Sequence, residues 1–139
     1  MNQTYEDAMA EAFPAVNAGI QPFGSRVLVQ IRTPKRKSSG GIIIDTGSRD
    51  TEKWNTQVAK VISHGPVAYR NRNNLEPWPE GSWAHAGDFV RVPKWGGDRW
   101  EVRAPGDDDI EDPVLFMTLN DHELISKVTA NPLSFKAYV

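Results

Sequence analysis

The residues with the greatest potential for chemistry are few and widely separated along the chain. Its three histidines, His64, His85 and His122, form no His-x-x-x-His pair, and there is no cysteine to serve as a thiolate ligand or nucleophile. No glycine-rich loop followed by Lys and Ser or Thr indicates a nucleotide site, and no nucleophile-elbow motif indicates a Ser/His/Asp set. We therefore assign no catalytic residue, no metal ligand and no cofactor, and we expect the chain to act by binding.

A run of acidic residues between Asp107 and Asp112 is a further candidate, because clustered carboxylates bind calcium. The run lacks the alternating spacing and the distal glutamate of a calcium loop, so a solvated surface turn is the favoured interpretation. The net charge of −2 argues against a general nucleic-acid-binding protein, whose surface is usually basic. The cluster Lys35-Arg36-Lys37 is more typical of a solvated loop than of a binding patch.

The most informative stretch for binding is the polar, Gly/Ser-rich segment 33–55. It contains one apolar island, Ile42-Ile43-Ile44, directly after Gly40-Gly41. A long stretch without regular structure inside a small domain is usually functional or disordered. Taken alone, the three isoleucines would also suit a buried edge strand. A strand in the core would not need the long polar stretches that lie before and after the isoleucines in this segment.

The first twenty residues differ in character from the rest. Tyr5, Met9 and Phe13 recur every four residues, which predicts a short amphipathic helix that ends at Pro14. A helix of two or three turns is marginal alone, so we expect it to pack on its own barrel or on a neighbouring subunit.

The remaining chain predicts short strands separated by turns. Apolar alternation and β-branched residues place strands at 26–32, 57–62, 89–92, 100–103, 113–119 and 124–128. The turn Gly96-Gly97-Asp98 is expected to form a hairpin flanked by Trp95 and Trp100. Many short strands without a βαβ rhythm predict an all-β barrel or sandwich.

The order of these landmarks resembles the chaperonin-10 family, the GroES-like co-chaperonins, over about residues 21–128. Each motif is weak alone, and their order and spacing make the resemblance specific. The motifs are Pro22-Phe23-Gly24-Ser25-Arg26-Val27 for the opening strand, Ser39-Gly40-Gly41-Ile42-Ile43-Ile44 for the mobile loop, Gln57–Gly65 for the strand after it, Ala86-Gly87-Asp88-Phe89-Val90 for a turn and strand, Trp95-Gly96-Gly97 for an aromatic with glycines, and Val114–Met117 with Asp121–Ile125 for the closing segment.

The resemblance implies a GroES-like small β-barrel with a long mobile loop, a roof hairpin or loop and a short N-terminal helical extension. The expected organisation is an extension at 1–20, a barrel domain at 21–128 and a C-terminal tail at 129–139. The mobile loop would occupy 33–55 and the roof region 65–86 of the barrel domain.

The resemblance also implies a function and a set of site residues. The chain would be a co-chaperonin that caps a GroEL-type chaperonin ring, with ATP bound by that partner, and assists the folding of a client protein. It would form a homo-oligomer, most simply a heptameric ring, by pairing the first strand of one barrel with the last strand of the next. The implied residues are Gly40, Gly41, Ile42, Ile43 and Ile44 for chaperonin binding, Val27, Val29, Leu124, Ile125 and Val128 for the oligomer interface, and Trp95 for the roof or cavity face.

Departures from the family pattern resemble the divergence of co-chaperonins carried by bacteriophages. Gln57 replaces the usual glycine after the loop, and residues 65–87 and 104–112 differ in length and composition. One alternative is therefore a phage virion accessory protein built on the same barrel. Another is an oligonucleotide-binding barrel using basic residues and tryptophans, which the net charge disfavours.

The N-terminus has no secretory signal, and no apolar run approaches the roughly 20 residues of a membrane span. We therefore expect a cytoplasmic protein, in the host cytoplasm if phage-encoded, with no membrane or nucleic-acid partner. Trp78, Trp83 and Trp100 are expected to anchor irregular loops to the core.

Overall fold

A computed structural model describes residues 4–33, 54–102 and 113–134. Within these ranges the chain is mostly antiparallel sheet with one short helix, which confirms the all-β class. The elements are, in chain order, helix α1 (Tyr5–Ala12), strands β1 (Arg26–Ile31), β2 (Val58–His64), β3 (Phe89–Arg91), β4 (Asp98–Val102) and β5 (Val114–Asn120), a 3-10 turn (Asp121–Glu123), and strand β6 (Ser126–Lys127).

The strands form one sheet in the order β4-β5-β1-β2-β3-β6. Strand β1 is central, and its Val27 lies opposite His64 of β2 and Leu119 of β5. The register between β1 and β2 shifts at Leu28/Val29, where a bulge increases the local twist. Among the described residues, β4 and β6 each have a neighbour on one side only, so this part of the chain leaves the sheet open.

Both faces of the sheet are covered, which explains why β1 is buried at every position except Arg26. One face carries the main core, in which side chains of β1 and β2 pack with residues of β5 and of the segment 68–84. The opposite face carries Leu28, Val114 and Phe116, and the N-terminal segment covers them through Ala18. Trp100 of β4 stacks on Phe116 there, with ring centroids 6.0 Å apart.

The N-terminal helix forms as its spacing predicts, and local hydrogen bonds define its start. The Thr4 hydroxyl accepts the Asp7 backbone N–H at 3.1 Å, which satisfies one of the unpaired donors of the first turn. After Pro14 the chain runs along the sheet. The Gln30 side chain donates to the Pro14 carbonyl at 2.8 Å, and the Trp100 indole lies 3.4 Å from the Ala18 carbonyl.

Two expectations about the strands are corrected. The turn at Gly96-Gly97 does not fold β4 back onto β3, because β4 pairs with β5 from Asp98↔Thr118 onward. Strand β3 already has β2 and β6 as neighbours, so no edge of β3 is left for β4. The last strand was expected in the core over 124–128, but β6 contains only Ser126 and Lys127, both exposed.

Candidate functional site

The expected chaperonin-binding residues Gly40, Gly41, Ile42, Ile43 and Ile44 lie outside the described residues. The structure instead defines the root from which their segment leaves the sheet. Strand β1 ends at Ile31, which pairs with Ala59 of β2, and the Arg32 backbone N–H donates to the Val58 carbonyl at 3.0 Å. The described residues on either side of 34–53 therefore lie close together, where β1 ends and β2 begins.

Helix α1 and the C-terminal residues meet at this root. The Thr33 backbone N–H donates to the Ala12 carbonyl at 2.8 Å, and the Arg32 guanidinium donates to the Pro132 carbonyl at 2.9 Å. An apolar cluster lies beside these bonds, and its members are Ala12, Phe13 and Val58 with Met9, Phe89 and Leu133 packed against them. We refer to residues 32–33 and 56–58, with this cluster, as the segment root.

Strand β6 provides one open edge of the sheet. Ile125 is 57% exposed beside it, while Leu124 packs against the main core and Val128 is buried. A groove of about 460 Å³ runs between β6 and the segment 80–84. The Lys127 ammonium lies 3.5 Å from the Asp88 carboxylate and joins this edge to the turn before β3. The backbone N–H of His85 and the charge of Lys127 lower the pKa of Asp88.

A second groove, of about 640 Å³, lies where the N-terminal segment meets the start of β4. It contains two exposed apolar side chains, Ile20 and Phe23, which are 47% and 79% exposed. Arg26, Asp98 and Glu123 line the same groove and give it charges of both signs. The two grooves lie at opposite ends of the strand order, β6 and β4.

Val27 and Val29 do not lie at a surface in this structure. Both side chains are 0% exposed and belong to the main core, and strand β1 is paired on both sides. They can offer a neighbouring subunit neither apolar area nor a free strand edge, so the expectation that they contact a neighbour is corrected. Of the residues expected at an oligomer interface, Ile125 is the one with large exposed area.

The segment 65–86, which we call the roof segment, is exposed over most of its length and turns inward at Tyr69, Trp78 and Trp83. It forms no regular hairpin, and one isolated bridge, Arg70↔Pro77, joins its two arms in the described structure. Tyr69 is 2% exposed in the main core although its φ is +64°, a strained value for a residue with a Cβ. Trp83 packs edge-on against Tyr69 at 5.6 Å and stacks with Trp78 at 6.2 Å. The expectation that Trp78 and Trp83 anchor this loop is confirmed.

A buried carboxylate, Asp121, fixes the roof segment. Asp121 is 2% exposed and accepts the backbone N–H of Tyr69 and that of His122, both at 2.7 Å. The Arg72 guanidinium, 3.4 Å away, supplies the opposite charge. In the sequence Asp121 is the first residue of the closing motif Asp121–Ile125, and no anchoring role was expected for it. The available signal was its position at the start of a 3-10 turn, where an acid is favourable for exposed backbone donors.

The turn at 93–97, which we call the Trp95 turn, presents its tryptophan outward. Trp95 is 77% exposed, and the Lys94 ammonium lies 5.3 Å from its ring centroid. The Arg99 guanidinium donates to the Pro93 carbonyl at 3.0 Å and lies 3.4 Å from the Lys94 carbonyl. Burial lowers the pKa of Arg99. The turn is thus fixed from within while Trp95 faces solvent, and its expected place on the roof or cavity face stays a prediction.

Gly97 brings the Trp95 turn against β5. Its φ is +67°, and a Cβ there would lie 2.6 Å from the Met117 Cε and 2.9 Å from the Thr118 carbonyl oxygen. Glycine is therefore required at this position both for the left-handed backbone and for the close approach.

The described residues bring together no three acidic, histidine or cysteine side chains suited to a metal ion. The acidic run at Asp107–Asp112 lies outside them. No helix in the described part of the chain has the length and apolar character needed to cross a bilayer.

Comparison with known proteins gives two findings. The family model described as "Chaperonin 10 Kd subunit" matches residues 19–109, more than half of the chain. A curated relative, "Co-chaperonin GroES" of Tetragenococcus halophilus, is 29% identical over 89 residues, which cover 64% of this chain and 84% of the relative.

Proposed function

Because the chain belongs to the chaperonin 10 family, we propose that it is a co-chaperonin that caps a GroEL-type chaperonin ring through Gly40–Ile44 and assists protein folding. The family match carries the proposal, since it runs continuously across both the docking segment 34–53 and the strands at its root. ATP would be bound by the partner ring. The chain would contribute contacts rather than catalysis, in the cytoplasm where the ring and its clients are.

The composition of the docking residues suits reversible capping. Gly40 and Gly41 allow the backbone to adapt to a site on the ring. Burying each of the three following isoleucines contributes roughly 1.5–3 kcal/mol, part of which offsets the entropy lost when the segment is fixed. Several such contacts on one ring add through effective concentration, so weak single contacts give tight but quickly released assembly.

The open sheet supports ring formation. We propose that the edge at β6, with exposed Ile125, contacts the groove around Ile20 and Phe23 of the next subunit. This head-to-tail arrangement covers both open edges and closes into a ring, most simply a heptamer. Ile125→Asp is expected to lower the mass measured by light scattering toward that of one chain, whereas Ile125→Val, which keeps most of the apolar area, is the matched control that should keep the mass of the ring.

The decisive test is co-elution of the purified chain with a GroEL-type chaperonin, with and without ATP. The unaltered chain and Ile43→Leu are expected to co-elute in the presence of nucleotide, and Ile43→Asp is expected to elute alone, because a carboxylate cannot enter an apolar site. Absence of binding by the unaltered chain would overturn the proposal and direct the search to an assembled virion.

A further inference from the structure

Helix α1 precedes the residues that the family model matches, and Pro132 follows them. These two additions nevertheless meet in one place, the segment root. The two residues just before the docking segment are bonded to both of them, Thr33 to the Ala12 carbonyl and Arg32 to the Pro132 carbonyl.

The bonds at the root lie next to a small apolar cluster that is separate from the main core. Phe13 is 7% exposed, and its ring centroid lies 5.0 Å from that of Phe89. Val58, the first residue of β2, is fully buried in the same cluster. The end of helix α1 and Phe13 therefore contact Thr33, which follows β1, and Val58, which begins β2.

We propose that α1 and Pro132–Leu133 form a brace that fixes the segment root, with Phe13 as its central positioning residue. The brace sets the direction in which residues 34–53 leave the sheet, and so it strengthens binding to the chaperonin ring without touching the ring. This inference rests on the proposed docking function. It assigns the two additions a common role in presenting Gly40–Ile44.

The expected effect follows from conformational entropy. Residues that are already fixed in the free protein lose no freedom when the segment docks. If the brace is removed, Arg32 and Thr33 must be ordered at the moment of binding, and each residue fixed lowers affinity by roughly fivefold or more. Because several subunits dock together, the loss is multiplied across the ring. Faster dissociation is the expected kinetic form of the effect.

The test compares three variants of the full chain. Phe13→Ala removes the ring that holds α1 on the cluster, and Phe13→Leu restores most of the apolar volume. Val61→Ala is the matched control, because Val61 is 0% exposed in the main core and pairs with Val29, in the middle of β1. Two quantities are measured: hydrogen exchange of a peptide covering 30–33, and dissociation of the chain from a GroEL-type ring with nucleotide.

Phe13→Ala is expected to raise exchange at Thr33 and to speed dissociation more than tenfold, with Phe13→Leu close to the unaltered chain. Val61→Ala is expected to lower the melting temperature without either change. Met9→Ala, which trims the same cluster less severely, replaces Phe13→Ala if that variant does not fold. If hydrogen exchange at Thr33 becomes faster but dissociation from the ring is unchanged, the proposed role of the brace is wrong. If the unaltered chain does not bind, the docking function itself fails.

Discussion

The roof segment at 65–86 and the Trp95 turn at 93–97 have similar compositions, with tryptophan, proline and glycine in each, yet they place their aromatic side chains in opposite directions. Trp83 packs on Tyr69 over the main core, whereas Trp95 is 77% exposed. Composition alone therefore does not decide whether an irregular aromatic segment is buried.

The difference lies in the polar side chain that fixes each segment. Buried Asp121 accepts the Tyr69 backbone N–H and draws that part of the roof segment inward. Partly buried Arg99 instead donates to carbonyls of residues 93 and 94, so the Trp95 turn is fixed by its backbone and its indole is left outside. Asp121 satisfies a buried backbone group and Arg99 satisfies part-buried ones, but only the carboxylate brings aromatic side chains into the core.

The largest expected effect comes from removing the inward anchor. Asp121→Ala leaves the buried N–H of Tyr69 and the part-buried N–H of His122 without their acceptor, which is expected to lower the free energy of unfolding by about 2–4 kcal/mol. Urea titration followed by tryptophan fluorescence measures it. The exposed Asp98→Ala is the control, with an expected change below about 0.5 kcal/mol. If the two variants lower the free energy of unfolding equally, Asp121 does not anchor the roof segment.

The second test concerns the contact between the Trp95 turn and β5. Gly97→Ala adds a Cβ in left-handed backbone against Met117 and the Thr118 carbonyl, for an expected loss of about 3 kcal/mol. Its neighbour Gly96 also has a positive φ, but its nearest contact would be the Glu123 carboxylate at 3.6 Å. Gly96→Ala is therefore expected to cost only about 1–2 kcal/mol, measured by the same titration. Equal costs would show that backbone strain alone matters.

The third test measures how stability depends on pH through Tyr69, the buried tyrosine of the roof segment. Burial, reinforced by the charges of Asp121 and Asp88, raises the pKa of Tyr69 to about 12. In the unfolded chain the pKa of this tyrosine is near its ordinary value of about 10. The contribution of Tyr69 to the free energy of unfolding is therefore fully present below pH 10 and is lost as the pH rises toward 12. The expected loss is about 2–3 kcal/mol.

Tyr69→Phe is expected to abolish that loss. It also removes a buried hydroxyl that has no hydrogen-bond partner among the described residues, so stability at neutral pH is expected to be kept. Tyr5→Phe, at a 52% exposed position, serves as the control and should retain the pH dependence. Denaturant midpoints between pH 9 and 12 provide the measurement, and a flat profile in the unaltered chain would contradict it.

The smallest expected loss of stability is in the Trp95 turn, whose tryptophan faces outward. Trp95→Ala removes an exposed ring whose closest described partner is the Lys94 ammonium, so stability is expected to fall by about 0.5 kcal/mol or less. Trp83→Ala is the matched variant in the roof segment and is expected to cost about 3 kcal/mol. Thermal unfolding of both variants measures the contrast, and a large loss for Trp95→Ala would mean that Trp95 is buried in an assembled state.

The helix and those strands that a single local sequence pattern determines were predictable from the sequence. The spacing of Tyr5, Met9 and Phe13 predicted α1, and β-branched runs predicted β1, β2 and β5 close to their observed bounds. The pairing of β4 was not predictable in this way. A two-glycine turn favours a hairpin locally, but the outcome depends on which edges are free, and β2 and β6 occupy both edges of β3.

The family resemblance predicts the docking residues, but the sequence did not reveal which residues are buried or which side chains fix the neighbouring segments. Gly40–Ile44 stay a prediction, because they lie outside the described residues. The burial of Val27 and Val29 depends on the two-sided pairing of β1, which alternation cannot reveal. Asp121 and Arg99 were missed because a single charged residue in a sequence carries no sign of burial until its backbone partners, distant in sequence, are known.

The pairing of β1 with β5 also has a consequence for synthesis on the ribosome. Val27 and its β5 partner Leu119 are about ninety residues apart in the chain. At roughly 5–20 residues per second, β1 waits about 5–20 s for that partner after it has been translated. During this interval β2 can cover only one edge of β1, and the other remains a template for incorrect strand pairing. Translation speed across residues 65–113 is therefore expected to influence how much of the nascent chain aggregates.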